Sequence, residues 1–211
     1  PHGPYTLNRS RGYIDKFASE RLWYMAVHNP DALTPEDRNR LKEAYHDEVQ
    51  YTDARVGRLL EAINDEAVVV LTGDHGEEFG EHGSFTHQKK VYEEIVNVPL
   101  VVDTPEDRTP VSGPYSALDI VPTVCSTLEI KTDSTHVGKD LFDEDNGRAF
   151  VITETNTAPE LTIGVRSEQH KFIARGEHRE LYDLYSDPSE REELLTSEKR
   201  SVPENFERRL R

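Results

Sequence analysis

The chain has 211 residues, of which 41 are acidic and 25 are basic, so its formal net charge is −16. A surface this acidic repels nucleic acid and anionic membranes, which excludes both as expected partners. No apolar run approaches the roughly 18 residues of a membrane span. The single cysteine, Cys125, excludes a disulfide within the chain.

The acidity has two open interpretations. Of the basic residues, 17 are arginine and only 8 are lysine. Strong negative charge with scarce lysine suits a protein that must stay soluble in concentrated salt, so a halophilic source is one hypothesis. An ordinary acidic protein is the alternative.

The sequence leaves the cellular compartment open. No signal peptide is visible, but this absence says little for a sequence that begins in this way. The compartment is unknown, with a slight preference for the cytoplasm. The sequence begins with Pro1 rather than methionine, in the middle of a turn-like segment. We therefore expect a further segment to precede it.

The first predicted elements are a turn and a long helix. The turn is His-Gly-Pro-Tyr at residues 2–5, and a polar stretch with scattered aromatic residues follows it. Thr34 is the predicted N-cap of the helix, with Pro35 in the first position. Apolar residues then recur at spacings of three and four up to about residue 63, which predicts a helix to residue 64.

A buried strand is predicted at residues 68–71, where four apolar residues stand in a row. Such a run is typical of a strand covered on both faces inside a parallel sheet. The residues that follow are rich in glycine and in acidic and histidine side chains, namely Asp74, His75, Glu77, Glu78, Glu81, His82 and His87.

The end of this strand is the candidate functional site. In open α/β sheets, ligands bind just outside the carboxyl ends of the strands. Asp74 followed by His75 offers a carboxylate oxygen and an imidazole nitrogen side by side, as a metal site requires. A solvated acidic loop without a ligand is the alternative.

The middle of the chain predicts two helices and one strand. Residues 91–96 predict a brief helix with Glu93 and Glu94 on its outer face, and a strand follows Pro99 up to residue 103. A loop rich in proline and glycine separates that strand from a helix at residues 116–128, for which Ser116 is a candidate cap.

The C-terminal part predicts a small antiparallel sheet, because several strands follow one another without helices between them. Three strands are predicted at residues 149–153, 162–166 and 170–174, and residues 180–185 are predicted as a further strand or a turn. A helix is predicted within the charged tail, residues 187–211. We therefore predict two domains. Residues 1–147 form part of an α/β domain with a mixed or parallel sheet flanked by helices, and residues 148–211 form a small α+β subdomain.

Seven segments in chain order together resemble the C-terminal half of a sulfatase, within the alkaline phosphatase superfamily. They are His-Gly-Pro-Tyr at 2–5, the helix segment 45–57, Thr-Gly-Asp-His-Gly-Glu at 72–77, Gly-Glu-His-Gly at 80–83, Tyr-Glu-Glu-Ile-Val-Asn-Val-Pro-Leu at 92–100, Asp-Ile-Val-Pro-Thr at 119–123 and Glu-Leu-Tyr-Asp-Leu-Tyr-Ser-Asp-Pro at 180–188. The resemblance implies an alkaline-phosphatase-like fold.

The resemblance also implies roles for particular residues. Asp74 and His75 are implied as two ligands of a divalent cation, with Ca²⁺ favoured by analogy and Mn²⁺ or Zn²⁺ made possible by the imidazole. His2 is implied to contact the sulfuryl oxygens or to assist the leaving group. The family's anion-binding lysine is matched most closely by His87, with Lys89 as a competitor two residues later.

The implied activity is metal-dependent hydrolysis of a sulfate ester, either a small molecule or a carbohydrate. A histidine in the place of His75 is also familiar in phosphodiesterases and phosphonate monoester hydrolases of the same superfamily, so these are an alternative. A non-catalytic paralogue or partner subunit is another alternative.

The implied nucleophile is not visible in this sequence. Sulfatases use a formylglycine made within a Cys/Ser-x-Pro/Ala-x-Arg segment, together with an early pair of aspartates. Cys125 is followed by Ser-Thr-Leu, which does not match. We therefore expect the chain to be a C-terminal portion that is inactive alone. The oligomeric state does not follow from the sequence.

Overall fold

A computed structural model describes residues 2–5, 16–87, 89–131, 136–157 and 160–195. The chain forms two compact units. The first comprises Pro1–Asp65 and Glu77–Gln88, and the second comprises Glu66–Gly76 and Lys89–Arg211.

The first unit contains two helices and a very short hairpin. Helix α1 spans Lys16–His28 and helix α2 spans Pro35–Leu60, with a 3₁₀ turn at Pro30–Ala32 between them. The predicted cap of α2 is confirmed, because the Thr34 side chain accepts from the Asp37 N–H while the Asp37 carboxylate accepts from the Thr34 N–H. Helix α1 lies in the polar stretch for which no element was predicted.

The core of the first unit joins both helices to the N-terminal turn. Its buried members come from the turn, both helices, the link between the helices and the hairpin, namely Tyr5, Ala26, Leu33, Leu41, Ala44 and Phe85. The apolar stripe predicted on α2 is covered only in its N-terminal half, since Leu59 is 62% exposed. In the hairpin, β2, Glu78–Phe79, pairs antiparallel with β3, Phe85–Thr86.

The second unit contains the strand that precedes Asp74. Strand β1 spans Val69–Thr72 and pairs antiparallel with β4, Leu100–Asp103. The structure therefore differs locally from the prediction of a strand covered on both faces in a parallel sheet, since Leu71 is 40% exposed. The apolar run correctly indicates a strand, but it does not specify the direction or the cover of its neighbours.

The C-terminal sheet is confirmed as a four-stranded antiparallel meander. Its strands are β5, Phe150–Thr157, β6, Glu160–Ser167, β7, His170–Arg175, and β8, His178–Asp183, and they pair in the order β5-β6-β7-β8. One face buries Val165, Phe172, Ala174 and Leu181, and the other packs Ile173 and Tyr182 against Val91. The α/β fold class with a C-terminal antiparallel sheet is therefore confirmed, and the boundary between residues 147 and 148 stays a prediction.

The described part of the second unit also contains two short helices. Helix α3 spans Glu93–Val96, and α4 spans Ile120–Thr127 after a 3₁₀ turn at Ala117–Asp119 that Ser116 caps as predicted. The prediction that Glu93 lies on an outer face is wrong. Glu93 is only 9% exposed, because two cations from the sheet neutralise its carboxylate.

The described part of the tail ends at residue 195, so the helix predicted within 187–211 falls largely outside the described residues. None of the helices within the described ranges is long and apolar enough to cross a membrane.

Candidate functional site

The strand-end pair, Asp74 and His75, lies immediately after β1 in the second unit. The His75 Nδ1 atom is 2.8 Å from the Gly76 carbonyl oxygen. A carbonyl oxygen only accepts, so Nδ1 carries the proton, and the Nε2 atom of a neutral His75 carries the lone pair. A backbone carbonyl that fixes the imidazole in this way is the usual support of a metal-ligating histidine.

The geometry of the strand-end pair suits two ligands of one cation. The His75 Nε2 atom lies 3.9 Å from the Asp74 Oδ2 atom. Two donors bonded to one divalent cation at about 2.0–2.5 Å are separated by a distance of this order. A hydrogen bond from its own backbone N–H, followed by the nearby His75 charge, holds the pKa of the Asp74 carboxyl below its ordinary value, so the carboxylate stays ionised.

Helix α3 holds the loop that carries the strand-end pair. The Gly76 N–H donates to the Ile95 carbonyl oxygen at 2.7 Å. A Cβ atom on Gly76 would lie 2.0 Å from the Glu94 carbonyl oxygen, so only glycine allows this approach. The position of His75 therefore depends on where α3 lies.

Helix α3 is in turn fixed to the sheet by a buried charge cluster, which consists of Glu93, Arg166, Lys171 and Glu190. The Glu93 carboxylate accepts from Lys171 Nζ at 2.8 Å and from Arg166 Nε at 3.1 Å. The Glu93 N–H donates to the Glu190 carboxylate at 2.6 Å, and Lys171 Nζ lies 3.4 Å from Glu190. No local sequence pattern predicts this cluster, because its members come from α3, β6, β7 and the loop after β8.

A cavity of about 670 Å³ opens beside the strand-end pair within the second unit. Asp74 and His75 line it together with Arg166 and Lys171. Its size is in the range of small-molecule sites. Ligand space therefore adjoins the two predicted metal ligands.

The first unit brings together two other predicted residues, His2 and His87. Their ring centroids are 5.0 Å apart, at an interplanar angle of 54°. The His2 Nδ1 atom is 2.6 Å from the Gly3 carbonyl oxygen, which fixes its proton on Nδ1. Paired imidazoles of this kind can hold positive charge beside an anion or transfer a proton.

Sequence reasoning missed two residues behind His87, namely Tyr5 and Glu77. The Glu77 Oε1 atom lies 3.5 Å from His87 Nδ1, and the Tyr5 hydroxyl donates to Glu77 Oε2. The Glu77 side chain is only 3% exposed. Burial, and then the hydrogen bond to Glu77, raises the pKa of Tyr5 well above its ordinary value, so Tyr5 remains a phenol that donates.

The loop between Glu77 and His87 is ordered by two further carboxylates. Glu78, which is fully buried, accepts from the N–H groups of His82 and Ser84, both at 2.9 Å. Glu81 accepts from Lys42 of α2 at 3.0 Å. The backbone of His82 is thus held within this loop by Glu78. These bonds fix the hairpin that His87 directly follows.

Lys89, the competitor of His87 for the anion-binding role, belongs to the second unit. Its exposed Nζ donates to the Asn156 carbonyl oxygen at 3.4 Å.

The metal donors near the strand-end pair are few. The described ranges contain no group of three or more His, Cys, Asp or Glu side chains that could hold an ion. Asp74 and His75 therefore fit a divalent cation as part of a ligand set.

Comparison with protein families identifies a match over most of the chain. The model of the family described as Sulfatase matches residues 1–130. An uncharacterised sulfatase of Escherichia coli is 25% identical over 92% of this chain and 45% of its own length. A Delta 4,5-hexuronate-2-O-sulfatase of Bacteroides thetaiotaomicron is 29% identical over 64% of this chain and 31% of its own length.

Solved structures have the same fold. A putative sulfatase from Bacteroides thetaiotaomicron superposes with a TM-score of 0.75 at 22% identity, over 90% of this chain and 46% of that protein. The chain thus spans less than half the length of the relatives it matches. Because the family model covers more than half of the chain and the fold agrees with it, this protein belongs to the sulfatase family.

Proposed function

We propose that the protein hydrolyses sulfuric esters with a divalent cation bound at Asp74 and His75. The observation that carries the proposal is the geometry of these two side chains in a member of the sulfatase family. An ionised carboxylate and the Nε2 lone pair of an imidazole lie 3.9 Å apart at the end of a strand. The cation would neutralise charge on the non-bridging oxygens of the ester.

Other side chains of this protein would orient the cation ligands, bind the sulfuryl oxygens and transfer a proton. His75 is oriented by the Gly76 carbonyl oxygen, and Asp74 supplies the negative charge that retains a cation. His2 and His87 would stabilise the sulfuryl oxygens when protonated, or give a proton to the leaving oxygen. Lys89 remains the alternative anion-binding group.

The proposed cation is Ca²⁺, with Mn²⁺ or Zn²⁺ as alternatives. Carboxylate oxygen suits a hard ion such as Ca²⁺, whereas imidazole nitrogen favours Mn²⁺ or Zn²⁺. A single carboxylate and a single imidazole do not decide between these ions, so the choice of Ca²⁺ rests on family resemblance.

The proposed substrate is a carbohydrate sulfate. A relative that is 29% identical is named for removing a 2-O-sulfate from a hexuronate. The cavity of about 670 Å³ beside the strand-end pair is large enough for a sugar. Both observations support a sulfated sugar rather than a polymer of nucleotides, which the net charge of −16 would repel.

The alternative activity is hydrolysis of phosphate diesters or phosphonate monoesters, which is favoured by the histidine in the second ligand position. An assay of the full-length gene product on an aryl sulfate and on an aryl phosphate diester distinguishes the two. We expect faster turnover of the sulfate ester, loss of turnover with a chelator, and recovery with Ca²⁺ or Mn²⁺. Preference for the diester supports the alternative, and turnover of neither ester supports a non-catalytic relative.

A further inference from the structure

A buried carboxylate lies directly behind one of the two histidines of the first unit. Glu77 is 3% exposed at its side chain, and its Oε2 atom accepts from the Tyr5 hydroxyl. Its Oε1 atom is buried and has no hydrogen-bond partner among the described residues, but His87 Nδ1 lies 3.5 Å away. A buried carboxylate oxygen without a donor is costly, and a proton on the facing nitrogen offsets that cost.

We propose that Glu77, held by Tyr5, is a positioning residue that keeps the proton of His87 on Nδ1 and so keeps Nε2 as the atom that meets the substrate. The inference deepens the proposed function, on which the role of His87 rests. A carboxylate that accepts from one ring nitrogen fixes both the tautomer and the ring orientation of a histidine. The same carboxylate stabilises the imidazolium when His87 is protonated.

Tyr5 acts as a fixed donor to Glu77. Its ring packs edge-on against Tyr45, with centroids 5.5 Å apart, and lies 6.2 Å from the ring of Phe79. Tyr5 itself is only 2% exposed. Because the tyrosine ring is held by the core of the first unit, its hydroxyl aims Glu77 Oε1 towards His87.

Both histidines then present the same nitrogen. His2 has its proton fixed on Nδ1 by the Gly3 carbonyl oxygen, and His87 has its proton fixed on Nδ1 by Glu77. Each neutral ring therefore carries its lone pair on Nε2. Two such rings, with centroids 5.0 Å apart, form a pair that can accept and donate protons at matching atoms.

The test is the tautomer of His87, measured by long-range ¹H–¹⁵N correlation of the imidazole nitrogens in the purified protein. The His87 signals are assigned by their loss in His87→Asn. We expect the Nδ1–H form in the parent protein and in Glu77→Gln, whose amide oxygen still accepts. In Glu77→Met, which keeps the volume but removes the acceptor, we expect the Nε2–H form that an unconstrained histidine favours.

Glu81→Gln is the matched control, because Glu81 lies in the same loop and pairs with Lys42. It should leave the His87 signals unchanged. Tyr5→Phe keeps the ring in the core and serves if Glu77→Met fails to fold; it should broaden or shift the His87 signals through a less constrained Glu77. An Nε2–H form of His87 in the parent protein would overturn the proposal, as would an unchanged spectrum in both Glu77→Met and Tyr5→Phe.

Turnover separates this inference from the proposed function. If the full-length enzyme hydrolyses a sulfate ester, Glu77→Met should lower kcat about 10-fold to 100-fold with little change in KM, and Glu77→Gln should recover part of the loss. A full-length protein that hydrolyses neither ester, with His87 in the Nδ1–H form, would reject the proposed function and keep the positioning role. A full-length protein that is active, with His87 in the Nε2–H form, would keep the proposed function and reject the positioning role of Glu77.

Discussion

Among single residues, each of the two units contains pairs in which one group orients another. The Gly76 carbonyl oxygen fixes the tautomer of His75, and the Gly3 carbonyl oxygen does the same for His2. In the buried charge cluster, Lys171 lies between the carboxylates of Glu93 and Glu190. Each of these contacts orients a side chain in the folded protein.

Glu190 makes one part of the stability depend on pH. Burial raises its pKa from 4.5 to about 6, although the Lys171 charge opposes the shift. The folded state therefore holds this proton more tightly than the unfolded state, and the group favours folding at low pH. Its contribution is lost as pH rises from about 4.5 to about 6, which amounts to about 2 kcal/mol.

Glu190→Gln should remove this pH dependence. We expect the unfolding free energy of the parent protein, relative to that of Glu190→Gln, to fall by about 2 kcal/mol between pH 4 and pH 7. Urea unfolding at several pH values measures the difference in unfolding free energy between the two proteins. The contributions of the other titrating groups cancel in this difference. Parallel curves for the two proteins would show that Glu190 titrates normally.

At the scale of elements, the loop that carries the strand-end pair depends on the close approach of Gly76 to helix α3. Gly76→Ala places a Cβ atom 2.0 Å from the Glu94 carbonyl oxygen, so the loop or the helix must shift. We expect a loss of unfolding free energy of about 1–3 kcal/mol and a weaker cation site. Thermal melts and cation titrations measure the two effects.

Gly57→Ala is the opposite control. Gly57 lies in α2, and a Cβ atom there meets nothing within 4 Å. An alanine in an exposed helix interior should raise the unfolding free energy by about 0.5–1 kcal/mol. If Gly76→Ala and Gly57→Ala changed the unfolding free energy in the same way, the contact between Gly76 and α3 would not hold the loop.

The elements that were predicted correctly are those marked by a pattern of neighbouring residues, such as a helix cap or a periodic spacing of apolar residues. Helix α2 was predictable because Thr34 caps it and its apolar residues have helical spacing. Helix α1 lies in a polar stretch with scattered aromatic residues, and its buried Ala26 packs in the shared core. Tertiary packing, which a local pattern does not contain, therefore explains why it was missed.

The same distinction applies to the candidate site. Asp74 and His75 are neighbours in the sequence, so their proximity at a strand end was predictable. Tyr5 and Glu77 are 72 positions apart, and only the fold brings the hydroxyl to the carboxylate. The burial of Glu93 was also unpredictable, because its partner Lys171 lies 78 positions away.

At the scale of the whole molecule, the net charge of −16 allows a test of the halophilic hypothesis. Salt screens repulsion between acidic groups in any acidic protein, and the Debye length is already about 3 Å at 1 M. An ordinary acidic protein should therefore stop gaining stability well below that concentration. We expect the melting temperature of a halophilic protein to continue to rise with KCl at molar levels, whereas a flat or falling curve would reject the hypothesis.

For the whole molecule, membership of the sulfatase family is the reason to interpret the strand-end pair as metal ligands. The family model matches residues 1–130, and this range includes Asp74, His75, His2 and His87. The fold agrees with a solved sulfatase at a TM-score of 0.75. Membership of this family therefore supports the proposal that Asp74 and His75 bind a divalent cation.

Binding of a cation at Asp74 and His75 can be measured with paramagnetic Mn²⁺, which broadens NMR signals near a site even when binding is weak. We expect selective broadening of the amide signals of residues 73–76, reversal by excess Ca²⁺, and loss of the effect in Asp74→Asn. Asp103→Asn, which alters another exposed aspartate on the same strand pair, should retain the broadening. Equal broadening in the parent protein and in Asp74→Asn would show that Asp74 is not a ligand.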